Sequence, residues 1–323
     1  MTDSIATNSV DIVTDRNDRH SADHEKCTDK TDEQKHDCLP VPNEVLELIL
    51  NNLDNVDAVA AAYVNKRWRS ALRMPRTDKH CSQHAYASQL ANRGNLETLR
   101  WARTNGHPLV RETCAEAAGG GHLDVLRWAR ANGCPWDGRT CYKAAYGGHL
   151  HVLQWARANG CPWNDDLCLL TAAAHGHLDI LRWARATGCE LSASVCAHAA
   201  GAGHIGILEW ARANGCPWDR WTCARAAGAG HINILEWARA NGCPWDSWTC
   251  AAAAEEGRLD VIKWARANGC PWDVFTVIGA AHNRHLDVLK WAVANGCPRY
   301  WHQRTQKDSD ACEWAEMNGC PLD

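Results

Sequence analysis

The sequence predicts an all-α protein: a solenoid of short helix pairs, preceded by a small three-helix module. Three observations carry this. Tryptophan recurs in an L-x-W-A setting (I-x-W-A once) at Trp101, Trp128, Trp155, Trp183, Trp210, Trp237, Trp264 and Trp291, in steps of 27, 27, 28, 27, 27, 27 and 27. A shortened copy places Trp314 only 23 residues later. A period of this length is the mark of a stacked-repeat architecture. Aromatic usage is also lopsided, with Trp 18, Tyr 5 and Phe 1, as expected when one position is copied many times. Finally, each unit holds two helix-period patterns separated by glycine- and proline-bearing turns.

Residues 1–38 are rich in Asp, Thr, Ser and His. Over 1–37 ten acids face five bases, a net of −5, which leaves the rest of the chain near +1. Such a segment buries too little apolar surface to offset its ordering entropy, so it is expected to be a disordered acidic tail. The character changes at Leu39. In the module 39–73, Val45, Leu46, Ile49, Leu50 and Leu53 recur at helical spacing, with Pro42 suited to a first turn. A second, alanine-rich helix is expected near Val56–Tyr63, and a third carrying Lys66, Arg67, Trp68 and Arg69. Three short helices make a thin core that needs a neighbour. Residues 74–93 read as a linker and a degenerate first helix, and 94–323 as the repeat array.

One unit, Gly121–Gly147, reads GHLDVLRWARANGCPWDGRTCYKAAYG. Leu123, Val125, Leu126, Trp128 and Ala129 cover more than one stripe, as expected for a helix held between neighbours. Gly133 can take the left-handed conformation that stops it. Cys134-Pro135-Trp136-Asp137 is a turn, and a second helix near Thr140–Tyr146 carries Cys141, Ala144 and Ala145, small enough for close packing. Neither helix is long enough to hold alone in water, so stacking must supply the stability.

The unit resembles the ankyrin repeat, with AAGGGHLDVLRWARANGC at Ala117–Cys134 and AAGAGHINILEWARANGC at Ala226–Cys243. It departs in length, 27 residues against the usual 33. The missing residues fall where ankyrin repeats project a hairpin, so a shorter tip is expected. The Gly-Cys-Pro-Trp-Asp wording looks like the ankyrin-repeat families of very large amoeba-infecting DNA viruses, pandoravirus-like. The module at 39–73 resembles an F-box: Val41-Pro42-Asn43-Glu44-Val45-Leu46 is similar to that family's opening motif, and Val64-Asn65-Lys66-Arg67-Trp68-Arg69 to its close. Val41, Ala58 and Asn65 depart from the usual residues. This resemblance implies docking on the Skp-family linker of a cullin-RING ubiquitin ligase through Pro42, Leu46, Ile49, Leu53, Val64 and Trp68. It also implies that the repeats recruit a substrate protein. The alternative is a plain binding scaffold in which 39–72 is only an N-terminal cap.

Little in the sequence favours chemistry. The cysteines form two ladders, one after each glycine (Cys134, Cys161, Cys189, Cys216, Cys243, Cys270, Cys297, Cys320) and one seven residues on (Cys141, Cys168, Cys196, Cys223, Cys250). Neither offers the C-x-x-C pair of a zinc site. Units roughly 8–10 Å apart cannot join disulfides along a ladder, which need Cα atoms within about 7 Å. They read as small apolar filler. The periodic His122, His149, His177, His204 and His231 are spread along the axis, which suits bonds between neighbouring turns better than a metal site. Glycine runs such as Gly119-Gly120-Gly121 lack the lysine of a phosphate loop, and Glu255-Glu256 reads as a solvated helix end. No enzyme activity, cofactor or metal is expected. The net charge of −4 makes no case for nucleic acid or an anionic membrane. No apolar run spans a bilayer and no secretory signal opens the chain, so an intracellular place, host cytoplasm or nucleus, is expected, with reduced thiols.

Residues that change from unit to unit escape the packing constraint. They are the expected carriers of specificity: Arg139, Lys143, Trp221, Arg225, Trp248 and Phe275, among which Trp and Arg are types enriched at binding hot spots.

Overall fold

The computed structural model describes residues 83–299 and 306–320. Residues 1–82 lie outside, and with them the acidic tail and the module at 39–73. The described residues form helices and turns only, in eight successive pairs. The pairs are α1 (Gln83–Asn92) with α2 (Leu96–Thr104), α3 (Arg111–Gly119) with α4 (Leu123–Ala131), α5 (Gly138–Tyr146) with α6 (Leu150–Ala158), and α7 (Asp165–Ala174) with α8 (Leu178–Ala186). They continue with α9 (Ala193–Gly201) and α10 (Ile205–Ala213), α11 (Arg220–Ala229) and α12 (Ile232–Ala240), α13 (Ser247–Glu255) and α14 (Leu259–Ala267), and α15 (Val274–His282) and α16 (Leu286–Ala294). A last helix, α17 (Gln306–Met317), packs on α15.

The first helix of each pair packs directly on the first helices before and after it, and each second helix packs on its own first helix. Residue size explains this. The first helices bury small side chains, such as Cys114, Ala115, Ala117 and Ala118 in α3, so their backbones can approach closely. The second helices bury larger ones, Val125 and Leu126 with Ala129 in α4. Removing such a Val or Leu from water stabilises the stack by about 1.5–3 kcal/mol each. No single helix of nine residues could persist alone.

Each second helix ends in the same way. Gly133 takes φ +76, its N–H donates to the Arg130 carbonyl at 3.1 Å, and the Cys134 N–H donates to Ala129 at 3.0 Å. This is the paired-bond helix stop in which glycine supplies the left-handed residue and an apolar one follows. The Asn132 side chain donates to the Trp128 carbonyl at 2.8 Å, satisfying another end group, and Asn159, Asn214, Asn241 and Asn268 repeat the bond at 2.8 Å. The turn to the next pair carries no strand among the described residues, so the expected shortening of the tip goes with loss of the hairpin.

The next helix opens on an aspartate cap. The Asp137, Asp219, Asp246 and Asp273 carboxylates accept from the N–H two residues on, at 2.9–3.1 Å. Joining one pair to the next is the histidine that precedes each second helix. The Nε2 of His122, His149, His177, His204 and His285 bonds the carbonyl of Asn92, Gly119, Tyr146, Ala174 and Glu255, at 2.9–3.2 Å. Where Arg258 replaces the histidine, its Nε donates to the Gly228 carbonyl at 3.3 Å. These are the bonds between turns expected of His122, His149, His177 and His204; His285 adds one the sequence reading did not name. The 28-residue step belongs to α7, where one residue is inserted between Cys168 and His177.

Candidate interaction surface

The position two residues after each cap faces outward at the start of each first helix from α3 to α15. Along the stack it holds Glu112, Arg139, Asp166, Ser194, Trp221, Trp248 and Phe275. Its neighbours in adjacent pairs lie side by side. In the first pairs of the array the face along this column is ionic, and its charges meet one another. Arg139 reaches Glu112 at 3.3 Å, Lys143 reaches Glu116 at 3.0 Å, and Arg111 reaches Asp137 at 3.7 Å. In the second half the column becomes a row of rings. Trp221 and Trp248 are 6.0 Å apart between centroids, and Trp248 and Phe275 stack at 5.2 Å with 16° between planes. The three rings remain 44, 36 and 46% exposed, unusual for large aromatics.

The specificity residues expected from sequence therefore divide in two. Trp221, Trp248 and Phe275 come together, with Arg225 one helical turn beyond Trp221. Arg139 and Lys143 lie on earlier pairs, engaged by acids of α3. A shallow groove of about 670 Å³ runs beside Trp221 and Arg225, with His198, Glu255, Glu256 and Arg258 also on its walls. Two neighbours were not anticipated. His198 borders the groove with Nδ1 bonded to the Ser194 carbonyl at 2.7 Å. Arg220 lies over the Trp221 ring, 5.6 Å from its centroid, and donates to Asp246 Oδ2 at 3.1 Å. Both occupy positions that vary between units, the signal that picked out Arg225.

The repeating tryptophans behave differently. Trp136 meets Trp155 of the following pair edge-on at 5.8 Å, and Trp218–Trp237, Trp245–Trp264 and Trp272–Trp291 repeat the contact at 5.7–6.0 Å. Arg130, Arg212, Arg239 and Arg266 lie over Trp136, Trp218, Trp245 and Trp272 at 4.2–4.3 Å. The same guanidinium groups donate to the carbonyls of Cys134, Cys216, Cys243 and Cys270. These residues hold pair to pair, as their recurrence implied.

All 15 described cysteines are buried, free thiols. The two ladders interleave in a way their separate spacings did not reveal. Cys216, in the turn, lies 3.6 Å from Cys196 of its own pair, and its thiol donates to the Ser192 carbonyl at 3.4 Å. The partner thiol and burial push Cys114, Cys141, Cys196, Cys223 and Cys250 well above the ordinary thiol range. Burial first, with the charges of Asp165 and Asp273 adding, lifts Cys168 and Cys297 to about 12. The partners of the first five, Cys134, Cys161, Cys216, Cys243 and Cys270, are shifted downward by the bond from the neighbouring thiol, against the effect of burial. The raised, sealed thiols make poor nucleophiles and poor ligands. Among the described residues no group of three or more His, Cys, Asp or Glu is placed to hold a metal ion, and no helix is long and apolar enough to cross a membrane.

Comparison with known proteins adds the following. The F-box domain model matches residues 39–80. That stretch includes Pro42, Leu46, Ile49, Leu53, Val64 and Trp68, all outside the described residues. Among solved structures, the human ASB11 ankyrin repeat domain is similar at 18% identity and a TM-score of 0.39, covering 54% of this chain and 90% of that one. No curated protein matches. The chain thus joins an F-box domain match to a helical repeat array.

Proposed function

We propose that this protein is an adaptor that brings a substrate protein to a cullin-RING ubiquitin ligase. The observation that carries the reading is the pairing of an F-box match at 39–80 with a repeat array whose only unsatisfied large apolar row, among the described residues, is on its surface. On this reading the F-box docks on the Skp-family linker through Pro42, Leu46, Ile49, Leu53, Val64 and Trp68. An apolar helix face in a module too small to be self-sufficient suits a helix-against-partner contact. The array then presents the recruited protein along Trp221, Arg225, Trp248 and Phe275, with Arg139 and Lys143 at its margin. Three exposed rings in line supply the rigid contact area that dominates binding energy at interfaces. The adaptor itself performs no bond chemistry on this reading; its described thiols are buried.

The test is capture of the purified linker protein by the full chain. Wild type is expected to bind, and Leu46→Glu with Ile49→Glu to lose at least about tenfold in affinity, since a charge in an apolar contact is left unpaired. Failure of the wild type to bind, or equal binding by the double variant, sinks the ligase role.

A further inference from the structure

The array shows how a guanidinium group sits on the ring row, because one of its own arginines does so. Arg220 is the first residue of α11. It lies over Trp221, and its Nη1 donates to Oδ2 of Asp246, the cap of the following first helix, whose Oδ1 is taken by the Trp248 N–H. Arg111, at the same place in α3, repeats the pairing with Asp137 at 3.7 Å. One carboxylate thus serves two donors, a helix end and an arginine from the preceding pair.

At α13 the same arrangement lacks its arginine. Ser247 stands where Arg220 stands, while the ring (Trp248) and the next cap (Asp273) are both present. Asp273 Oδ1 accepts from the Phe275 N–H at 3.0 Å, and Oδ2 has no partner among the described residues. Asp219 also follows a pair without arginine, but there Ser194 replaces the ring. Trp248 with Asp273 therefore forms a carboxylate beside an exposed aromatic ring that no residue of the array completes. The surroundings carry a matching charge. The caps Asp219, Asp246 and Asp273 with Glu255 and Glu256 make five acids, against Arg220, Arg225 and Arg258, and Arg220 is already paired.

We infer that the ring row binds an extended segment of a partner protein that carries an arginine, whose guanidinium pairs with Asp273 beside Trp248 as Arg220 pairs with Asp246 beside Trp221. Apolar side chains flanking that arginine lie on Trp221 and Phe275. A guanidinium suits the place better than an ammonium, because it is planar, forked and weakly hydrated. This rests on the proposal that the array recruits a protein, and it names the chemistry of what is recruited.

The experiment is fluorescence anisotropy of the full chain with a labelled synthetic peptide of alternating arginine and leucine. Matched peptides carry lysine, citrulline or glutamate in place of arginine. The arginine peptide is expected to bind at least about tenfold more tightly than the other three. Asp273→Asn and Trp248→Ala are each expected to weaken it by about tenfold or more. The sharpest variant is Ser247→Arg, which supplies the missing guanidinium from within: it should abolish peptide binding and raise the melting temperature, which excludes misfolding as the cause. No binding by the arginine peptide, equal binding by the citrulline, lysine or glutamate peptide, or undiminished binding by Ser247→Arg and Asp273→Asn overturns the inference. Linker capture is measured on the same preparations. A chain that takes the peptide but not the linker loses the ligase role and keeps this surface; the reverse result does the opposite.

Discussion

His177 and Gly148 show how tightly the period constrains single residues. Gly148 takes φ +74, a region L side chains rarely adopt, and a Cβ there would lie 2.5 Å from the His177 ring of the next pair. That ring cannot simply swing away, because its Nε2 holds the Tyr146 carbonyl at 2.9 Å. Gly148→Ala therefore meets backbone strain and a clash together. It is expected to destabilise the array by about 1–3 kcal/mol, read as a lower midpoint in urea denaturation. The Gly-His pairs were visible in the sequence as a period, and the left-handed glycine after Asn132 was legible from its place at a helix end. The cause of the Gly-His pair was not. It lies in a contact about 30 residues away, which adjacency along the chain does not reveal.

At the scale of the helix, stability resides in the ends, since nine residues supply few internal bonds. Asp246 caps α13 and also accepts Arg220, so Asp246→Ala removes a cap and an ion pair at once. The cap is worth about 1 kcal/mol and the exposed pair less, so a loss of about 1–2 kcal/mol is expected in chemical denaturation. Asp219→Ala, which removes a cap alone, should cost less, and equal losses would mean that Arg220 contributes nothing. The sequence made the Arg-Ala-Asn-Gly-Cys-Pro-Trp-Asp run look like a helix stop and a turn. Only the folded chain shows that its arginine covers the turn tryptophan, that its cysteine folds back on the pair it closes, and that its aspartate opens the next helix.

For the array as a whole, most pairs are tied to the next by an imidazole, and one of these, His149, couples the stack to pH. Burial holds the His149 pKa below its ordinary value of 6.5, with His151, His122 and His177 adding like-charge repulsion and its bond to Gly119 opposing the shift. The unfolded chain then binds protons more readily than the folded one. The neutral ring's contribution is present above pH 6.5 and is lost as pH falls through the lower folded value. Melting temperature is thus expected to decline below pH 6.5, and the decline should be shallower in His149→Gln. A wild-type profile flat from pH 7 down to 5 would contradict this coupling.

The sequence by itself determined the architecture: repetition at a fixed period, two helical patterns per unit and glycine stops leave one economical arrangement, a stack of helix pairs. It also pointed to the residues that break the period as the place for specificity, because packing does not dictate them. Which of those residues act together was decided only by tertiary structure. Arg139 and Lys143 looked equivalent to Trp221 and Phe275 as departures from the repeat, yet their charges are answered by Glu112 and Glu116 of the preceding pair. Trp221, Trp248 and Phe275, 27 residues apart, meet because stacking converts one repeat length into a single side-by-side step. The same step sets Asp273 beside Trp248 with no arginine to complete it. A carboxylate is ordinary in a sequence, and only its neighbours in space show whether its charge has been met.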